Sequence, residues 1–195
     1  MLCPFCNLKT SNSINDTVLY ENEYFVVVPA KGPITEGHVL IVSKSHDLSL
    51  LCVKKEQKRI FVEVLNKIAG IENFYGDFLF FEHGSYNDSM GGKTIDHTHI
   101  HVIPNYSQYA NVLDGTYLLK EKICISEIPN TCLHYPYLLI GTQKEIQIYE
   151  GADVKSQEIR IKIAENNPKV IPNWQDEENI NVVKKTINMW KNVKF

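Results

Sequence analysis

The stretch His97-Thr98-His99-Ile100-His101-Val102-Ile103-Pro104 decides the fold that we expect for this chain. Its three histidines alternate with residues that favour strands, and side chains alternate between the two faces of a strand. The three imidazoles should therefore line one face, with neighbours about 6.6 Å apart, because a strand rises about 3.3 Å per residue. Imidazole titrates near neutral pH and acts as a base, a nucleophile or a metal ligand. The stretch predicts a functional site on a strand that ends at Pro104.

The composition is typical of a globular protein. The sequence has 195 residues, of which 44% are hydrophobic and 22% are charged, and its net charge is −3. The sequence has no excess of basic residues of the kind that indicates a nucleic-acid partner. No apolar run approaches the roughly 20 residues that span a bilayer, and the N-terminus lacks a signal-peptide pattern. We therefore expect no nucleic-acid partner, no membrane partner and a cytoplasmic location.

The five cysteines argue against a disulfide framework, because their number is odd. Cys52, Cys124 and Cys132 lie in apolar surroundings and are expected to be buried. Cys3 and Cys6 are different, because two thiolates separated by two residues can bind one metal ion from a tight turn. A redox-active pair is the alternative, although such a pair usually follows a strand in a βαβ unit.

Hydrophobic periodicity predicts an α+β domain with an antiparallel sheet and one main helix on it. Strands are expected at 20–28 (one strand or a tight hairpin), 38–42, 77–82 and 97–104, the main helix at 49–68 and a glycine-rich loop at 84–92. Beyond residue 106 the pattern predicts a hairpin of strands 135–140 and 145–149 and helices at 156–164 and 178–191. No linker-like stretch separates the two halves, so the second half is expected to pack on the first.

Three motifs in order resemble one family. Residues 97–103 are similar to the signature of the histidine-triad superfamily of nucleotide hydrolases and transferases. Residues 37–46 (GHVLIVSKSH) resemble the Gly-His strand of that family, which ends in Lys and His. Gly91-Gly92-Lys93-Thr94 resembles its phosphate loop. The resemblance covers residues 1–105 and implies a histidine-triad fold.

The resemblance implies a role for each residue of the motifs. His99 would be the nucleophile that attacks the α-phosphorus of a nucleotide, and water would then cleave the nucleotidyl-histidine intermediate. His101 would bind a phosphate oxygen, and the Thr94 hydroxyl would donate to the transferred phosphate. The backbone N–H groups of Gly91 and Gly92 can approach the phosphate because no Cβ obstructs them. The alternatives are a structural hydrogen bond for either histidine and an ordinary loop hydroxyl for Thr94.

The resemblance also gives the cysteine pair a function. Family members that begin with Cys-x-x-Cys often hold Zn²⁺ through that pair, a histidine like His46 and the first histidine of the triad, here His97. Cys3, Cys6, His46 and His97 would form a closed Cys₂His₂ set, which is typical of structural zinc. The alternative is an unmetallated pair, with His46 and His97 in plain hydrogen bonds.

The chain departs from the family pattern at three positions. Lys93 replaces a common Gln and adds a charge that suits an anionic substrate, unless it is a solvated loop lysine. Ala30 stands where an acidic residue commonly binds the ribose. Asn87 matches the loop asparagine of the family only approximately, so it is either a substrate ligand or a turn residue. His83 is expected to have a core or turn role, with the pocket as the alternative.

We expect residues 1–106 to form a histidine-triad catalytic domain and residues 107–195 a C-terminal α/β extension packed on it. The expected activity is hydrolysis of a purine nucleotide at its α-phosphate, with a dinucleoside polyphosphate or nucleoside phosphoramidate as substrate. The alternatives are nucleotidyl transfer to phosphate or a sugar phosphate, and a regulatory nucleotide-binding module. A homodimer formed by sheet extension is the default for the family. Ser156, Gln157 and Trp174 are expected to serve packing, with the pocket or a dimer interface as alternatives.

Overall fold

The computed structural model describes residues 3–10, 13–71, 74, 76–86, 95–151, 154–155, 157–170, 179–191 and 193. The strands are β1 (Tyr20–Glu21), β2 (Phe25–Pro29), β3 (Val39–Ser43), β4 (Phe78–Gly84), β5 (His99–Pro104), β6 (Leu119–Cys124), β7 (Tyr137–Gly141) and β8 (Glu145–Glu150). The helices are α1 (Lys55–Ala69), α2 (Glu158–Asn166) and α3 (Asn179–Trp190). Short 3₁₀ helices lie at Phe5–Thr10, Ile14–Asp16, Leu50–Cys52, Ser107–Tyr109 and Ile125–Asn130.

All eight strands join in one antiparallel sheet, which confirms the α+β prediction. The strand order is β1-β2-β3-β5-β4-β7-β8-β6. Strand β4 pairs with β5 on one side and with β7 on the other. The strands of the second half therefore continue the sheet of the first half at β4. The extension lengthens that sheet as well as packing on it.

Helix α1 covers one face of the sheet. Its buried residues include Phe61, Val64, Leu65 and Ile68, a spacing that places them on one side of a helix. They join a core with the inward-facing residues of β2, β3, β5 and β7. The helix begins later than the predicted residue 49, because residues Leu50–Cys52 form a separate 3₁₀ turn.

The opposite face of the sheet is covered at two separate places. The 3₁₀ helix Phe5–Thr10 contributes Leu8 to a small apolar cluster on β2 and β3. Helix α2 contributes Ile159 and Ile163 to a second cluster, on β4, β5 and β7. A cavity lies on this face, lined by residues from both covering segments and from the strands between them.

The structure corrects three expectations from the sequence. His97 lies before β5, which begins at His99, so only two of the three histidines share a strand. Strand β6 was not predicted, because its residues are polar and largely exposed and carry no apolar alternation. Cys124 and Cys132 are exposed and Cys52 is half-buried, although all three were expected to be buried. None of the helices in the described parts of the chain has the length and apolar character needed to cross a bilayer.

Candidate active site and metal centre

His99 and His101 project from β5 into the cavity, which has a volume of about 640 Å³. Their ring centroids lie 5.6 Å apart, as expected for alternate residues of a strand. The Phe5 ring lies 5.0 Å from the His99 ring, and Phe81 stacks on His101 at 4.4 Å with nearly parallel planes. Aromatic neighbours therefore restrict the orientation of both imidazoles.

A backbone carbonyl fixes the tautomer of His99. The Nδ1 atom of His99 lies 2.7 Å from the carbonyl oxygen of His97. A carbonyl oxygen only accepts, so Nδ1 carries the proton and donates it. In the neutral imidazole the lone pair is then on Nε2. This is the form that a nucleophilic histidine requires.

A chain of hydrogen bonds fixes the tautomer of His101. The backbone N–H of Ile34 donates to Nδ1 of His38 at 3.0 Å, so the proton of His38 is on Nε2. That Nε2 lies 3.0 Å from Nδ1 of His101 and donates to it. The proton of His101 is therefore on its Nε2. His101 can then donate to an anion in the cavity that it lines.

The imidazoles of His38 and His101 are both neutral near pH 7. His38 is 1% exposed. Its burial, with a smaller contribution from the Arg160 charge, lowers the pKa of His38 to about 3. Desolvation also lowers the pKa of His101 well below its ordinary value, and His38, His99 and Arg160 add to that effect. The histidine that would face phosphate therefore acts as a hydrogen-bond donor without a positive charge.

Cys3, Cys6, His46 and His97 come together at the N-terminal end of β5, and their ligand atoms all lie within 4.8 Å of one another. The Sγ atoms lie 3.3 Å (Cys3) and 3.6 Å (Cys6) from Nδ1 of His97. Nδ1 of His46 lies 3.2 Å from Cys6 Sγ and 3.3 Å from Nδ1 of His97. The ligands of a tetrahedral zinc ion lie about 3.3–3.8 Å apart, given Zn–S near 2.3 Å and Zn–N near 2.0 Å. The group therefore has the spacing of a zinc site.

The surroundings of these four residues support a metal ion. Nε2 of His97 donates to the carbonyl oxygen of Ser43 at 2.8 Å, which leaves the lone pair of Nδ1 directed toward the cysteines. Partial desolvation and, after it, the neighbouring Cys3 thiol raise the pKa of the Cys6 thiol. A bound cation would reverse that shift, because it stabilises thiolates.

The C-terminal extension forms another wall of the cavity, a position that the sequence offered for Gln157 only as an alternative to packing. Lys155, Gln157 and Arg160 from the start of α2 and the residues before it line the same cavity as His99. Arg160 is buried, and its Nη1 donates to the carbonyl oxygen of Gly32 at 2.5 Å. Gln157 was expected to serve packing, but it is exposed beside the cavity.

The sequence also gave no role to His38, although it lies in the quoted Gly-His motif. Its function depends on the N–H of Ile34, a contact that no motif encodes. His83 lines the cavity from β4, so the alternative of a pocket position is the observed one. Asn87, Gly91, Gly92, Lys93 and Thr94, together with Ser156 and Trp174, lie outside the described residues.

A family model described as HIT domain matches residues 11–108, just over half of the chain. The chain belongs to the HIT domain family. An uncharacterised HIT-like protein of Saccharolobus solfataricus is 25% identical over 131 residues, which are 62% of this chain and 86% of that protein.

Two solved structures extend the comparison. A zinc-bound histidine triad family protein from Mycobacterium smegmatis is 25% identical, with a TM-score of 0.39 over 53% of this HIT chain and 75% of that one. Yeast Ap4A phosphorylase is 11% identical, with a TM-score of 0.51 over 96% of this chain and 80% of that one. The second likeness concerns the fold alone, and it includes the extension.

Proposed function

We propose that this HIT protein hydrolyses a purine nucleotide at its α-phosphate through a covalent nucleotidyl intermediate on His99. The observation that carries the proposal is the 2.7 Å hydrogen bond from His99 Nδ1 to the His97 carbonyl, which leaves the Nε2 lone pair for attack. The substrate class is a dinucleoside polyphosphate or a nucleoside phosphoramidate.

The reaction has two steps. In the first, Nε2 of His99 forms a bond to the α-phosphorus, and the bond from that phosphorus to the leaving group breaks with its electron pair. In the second, a water oxygen attacks the same phosphorus and the P–N bond breaks. The water loses one proton to solvent, a phosphate chain leaves as an anion, and a leaving amine takes up one proton from solvent as its bond to phosphorus breaks. The products are the nucleoside monophosphate and the leaving group. The imidazole becomes cationic in the first step, and the His97 carbonyl that accepts from Nδ1 stabilises that charge.

His101 binds phosphate in this proposal. The hydrogen bonds from the Ile34 N–H to His38 and from His38 to His101 place the proton of His101 on Nε2. This N–H can donate to a non-bridging oxygen of the phosphate. A donor held in place before the reaction needs little reorganisation as charge develops on that oxygen. The Thr94 hydroxyl, the backbone of Gly91 and Gly92, and the side chains of Lys93 and Asn87 stay proposed substrate ligands.

We also propose that Cys3, Cys6, His46 and His97 hold a structural zinc ion. A closed Cys₂His₂ set supplies no position for a catalytic water, so the metal would hold the N-terminal segment and the loop 44–47 against the start of β5. Metal analysis of untagged protein should give about one zinc per chain, and Cys6→Ser should lose most of it. Cys124→Ser is the control, because this exposed cysteine is not among the four residues. Zinc well below one per chain in the unaltered protein would refute the site.

The function is tested by trapping the intermediate. Intact-mass analysis of protein mixed rapidly with diadenosine tetraphosphate or adenosine phosphoramidate should detect a nucleotidyl adduct that maps to His99. His99→Ala should lose the adduct and at least about 1,000-fold in kcat, as expected for a missing nucleophile. His134→Ala is the control, because this exposed histidine does not line the cavity. A folded His99→Ala protein with full turnover would refute the proposal.

The phosphorylase alternative shares the first step. The structural likeness to yeast Ap4A phosphorylase, which spans the extension, is the reason to test this alternative. Phosphate would replace water as acceptor, and the product would be a nucleoside diphosphate. Assays with and without inorganic phosphate separate the two reactions. Tight nucleotide binding without turnover would favour the regulatory module instead.

The assembly and location are proposals as well. We propose a homodimer, as is usual in the family, and one catalytic domain (1–106) with its extension (107–195). We propose a cytoplasmic location, where a reducing environment keeps the Cys3 and Cys6 thiols able to bind a metal ion.

A further inference from the structure

The cavity has an uneven distribution of charge, which the proposed reaction does not yet use. Three cations line it, Lys31, Lys155 and Arg160, against the carboxylates of Asp16 and Glu158. The extension contributes two cations, Lys155 and Arg160, and one carboxylate, Glu158, to this lining. The part of the cavity formed by the extension is therefore the part suited to an anion.

Arg160 is the best placed of these cations. It is 6% exposed, and one of its N–H groups is held by the Gly32 carbonyl, so the guanidinium is fixed inside the cavity wall. Its charge acts on His101 and on His38, as a smaller contribution beside desolvation and, for His101, the neighbouring imidazoles. Arg160 therefore lines the same cavity as His101, which would bind phosphate there.

We propose that Arg160 and Lys155 form a leaving-group subsite that binds the phosphate chain of the substrate. The C-terminal extension would then select nucleotides whose α-phosphate carries further phosphate over phosphoramidates. This inference rests on the proposed attack by His99.

The chemistry of the two leaving groups explains the selectivity. A phosphate chain leaves as an anion with the electron pair of the broken P–O bond, and a guanidinium stabilises that charge through two parallel hydrogen bonds. An amine leaves only after it takes up a proton, and a nearby fixed cation opposes the formation of an ammonium group. The same two residues thus favour one substrate class and disfavour the other.

The experiment compares diadenosine tetraphosphate with adenosine phosphoramidate, which give the same adenylyl group on His99 and differ only in the leaving group. Arg160→Met should lower kcat/KM for the tetraphosphate by about 30-fold and for the phosphoramidate by less than about 3-fold, within the range for a charge-assisted hydrogen bond. Lys155→Met, an exposed position, should show the same selectivity at about 5-fold. Lys162→Met is the matched control on the same helix, because Lys162 pairs with Glu165 outside the cavity.

Binding gives a readout that does not depend on turnover. In the His99→Ala background, calorimetry should find ATP bound more tightly than AMP, and Arg160→Met should remove most of that difference. If Arg160→Met lowers kcat/KM equally for both substrates and leaves the ratio of ATP to AMP affinity unchanged, the subsite is refuted. Arg160 would then serve only as an anchor for the Gly32 loop. If Arg160→Met does not fold, the selectivity of Lys155→Met decides. An absent His99 adduct with an intact ATP-to-AMP difference would refute the proposed reaction and keep the subsite.

Discussion

At the scale of single residues, the histidines of the triad differ because each has a different hydrogen-bond partner. His97 donates to the Ser43 carbonyl and turns its Nδ1 toward Cys3 and Cys6, whereas His99 donates from Nδ1 to the His97 carbonyl. His101 accepts from His38. The repeat of histidines is readable in the sequence, but these partners come from distant positions, so their assignment required the fold.

His38 makes the stability of the protein depend on pH. Its pKa is about 3 in the folded chain and near 6.5 in the unfolded chain, so between these values the unfolded state binds the proton and the folded state does not. Stability should therefore fall as the pH drops from 6.5 toward 3, by up to about 1.4 kcal/mol per pH unit from this group. His38→Asn removes that contribution and should give a shallower dependence.

Urea unfolding at pH 7, 6 and 5, with a chelator present to exclude metal effects, measures this slope. His134→Asn is the control, because His134 is exposed and lies outside the cavity, and it should leave the slope unchanged. If the free energy of unfolding depends on pH equally in the unaltered protein and in His38→Asn, the low pKa of His38 in the folded protein is contradicted.

At the scale of elements, the loop between β2 and β3 is held by α3. The N–H of Gly37 donates to Oγ1 of Thr186 at 2.9 Å, and Lys185 forms an ion pair with Glu36. The same loop carries the Ile34 N–H that fixes His38. The sequence predicted both strands and α3, but it could not predict that a helix 149 residues later closes the loop behind the candidate active site.

Gly37 should tolerate no side chain. Its φ is +84°, and an added Cβ would lie 2.8 Å from Met189 Cε and 2.9 Å from Pro104 Cγ. Gly37→Ala should lower the free energy of unfolding by about 2–4 kcal/mol, from left-handed strain and overpacking together. Gly115→Ala is the matched control, because its φ is +72° but nothing lies within 4 Å of the added Cβ. It should cost only about 1 kcal/mol in chemical denaturation. If Gly37→Ala and Gly115→Ala lower the free energy of unfolding equally, the contact of the added Cβ with Met189 and Pro104 has no energetic cost.

At the scale of the whole molecule, the extension changes which sheet edges can join two copies. Strand β7 occupies the free edge of β4, so among the described strands the outer edges are β1, with two residues, and β6, with six. A homodimer formed by sheet extension should therefore use β6, although Lys120 and Lys122 pair with glutamates of β8 there.

Light scattering after size exclusion should give twice 22.4 kDa for the unaltered chain. Lys122→Pro should shift the mass to that of the monomer, since proline blocks pairing along an edge strand. Lys122→Gln removes only the ion pair and should remain a dimer. A monomer at all concentrations of the unaltered protein would contradict the homodimer, and a dimer that survives Lys122→Pro would place the interface elsewhere.

The sequence by itself determined the family, the order of most strands and helices, and the identity of the four candidate zinc ligands. The elements follow from the periodicity of apolar residues and the family from the motifs at 37–46 and 97–103, and the resemblance to that family implied the ligand set. Only the tertiary structure decided that β7 continues the sheet at β4 and that Arg160 reaches the cavity of His99. The physical reason is that strand pairing and a shared cavity join residues far apart in the chain, and no local periodicity encodes such contacts.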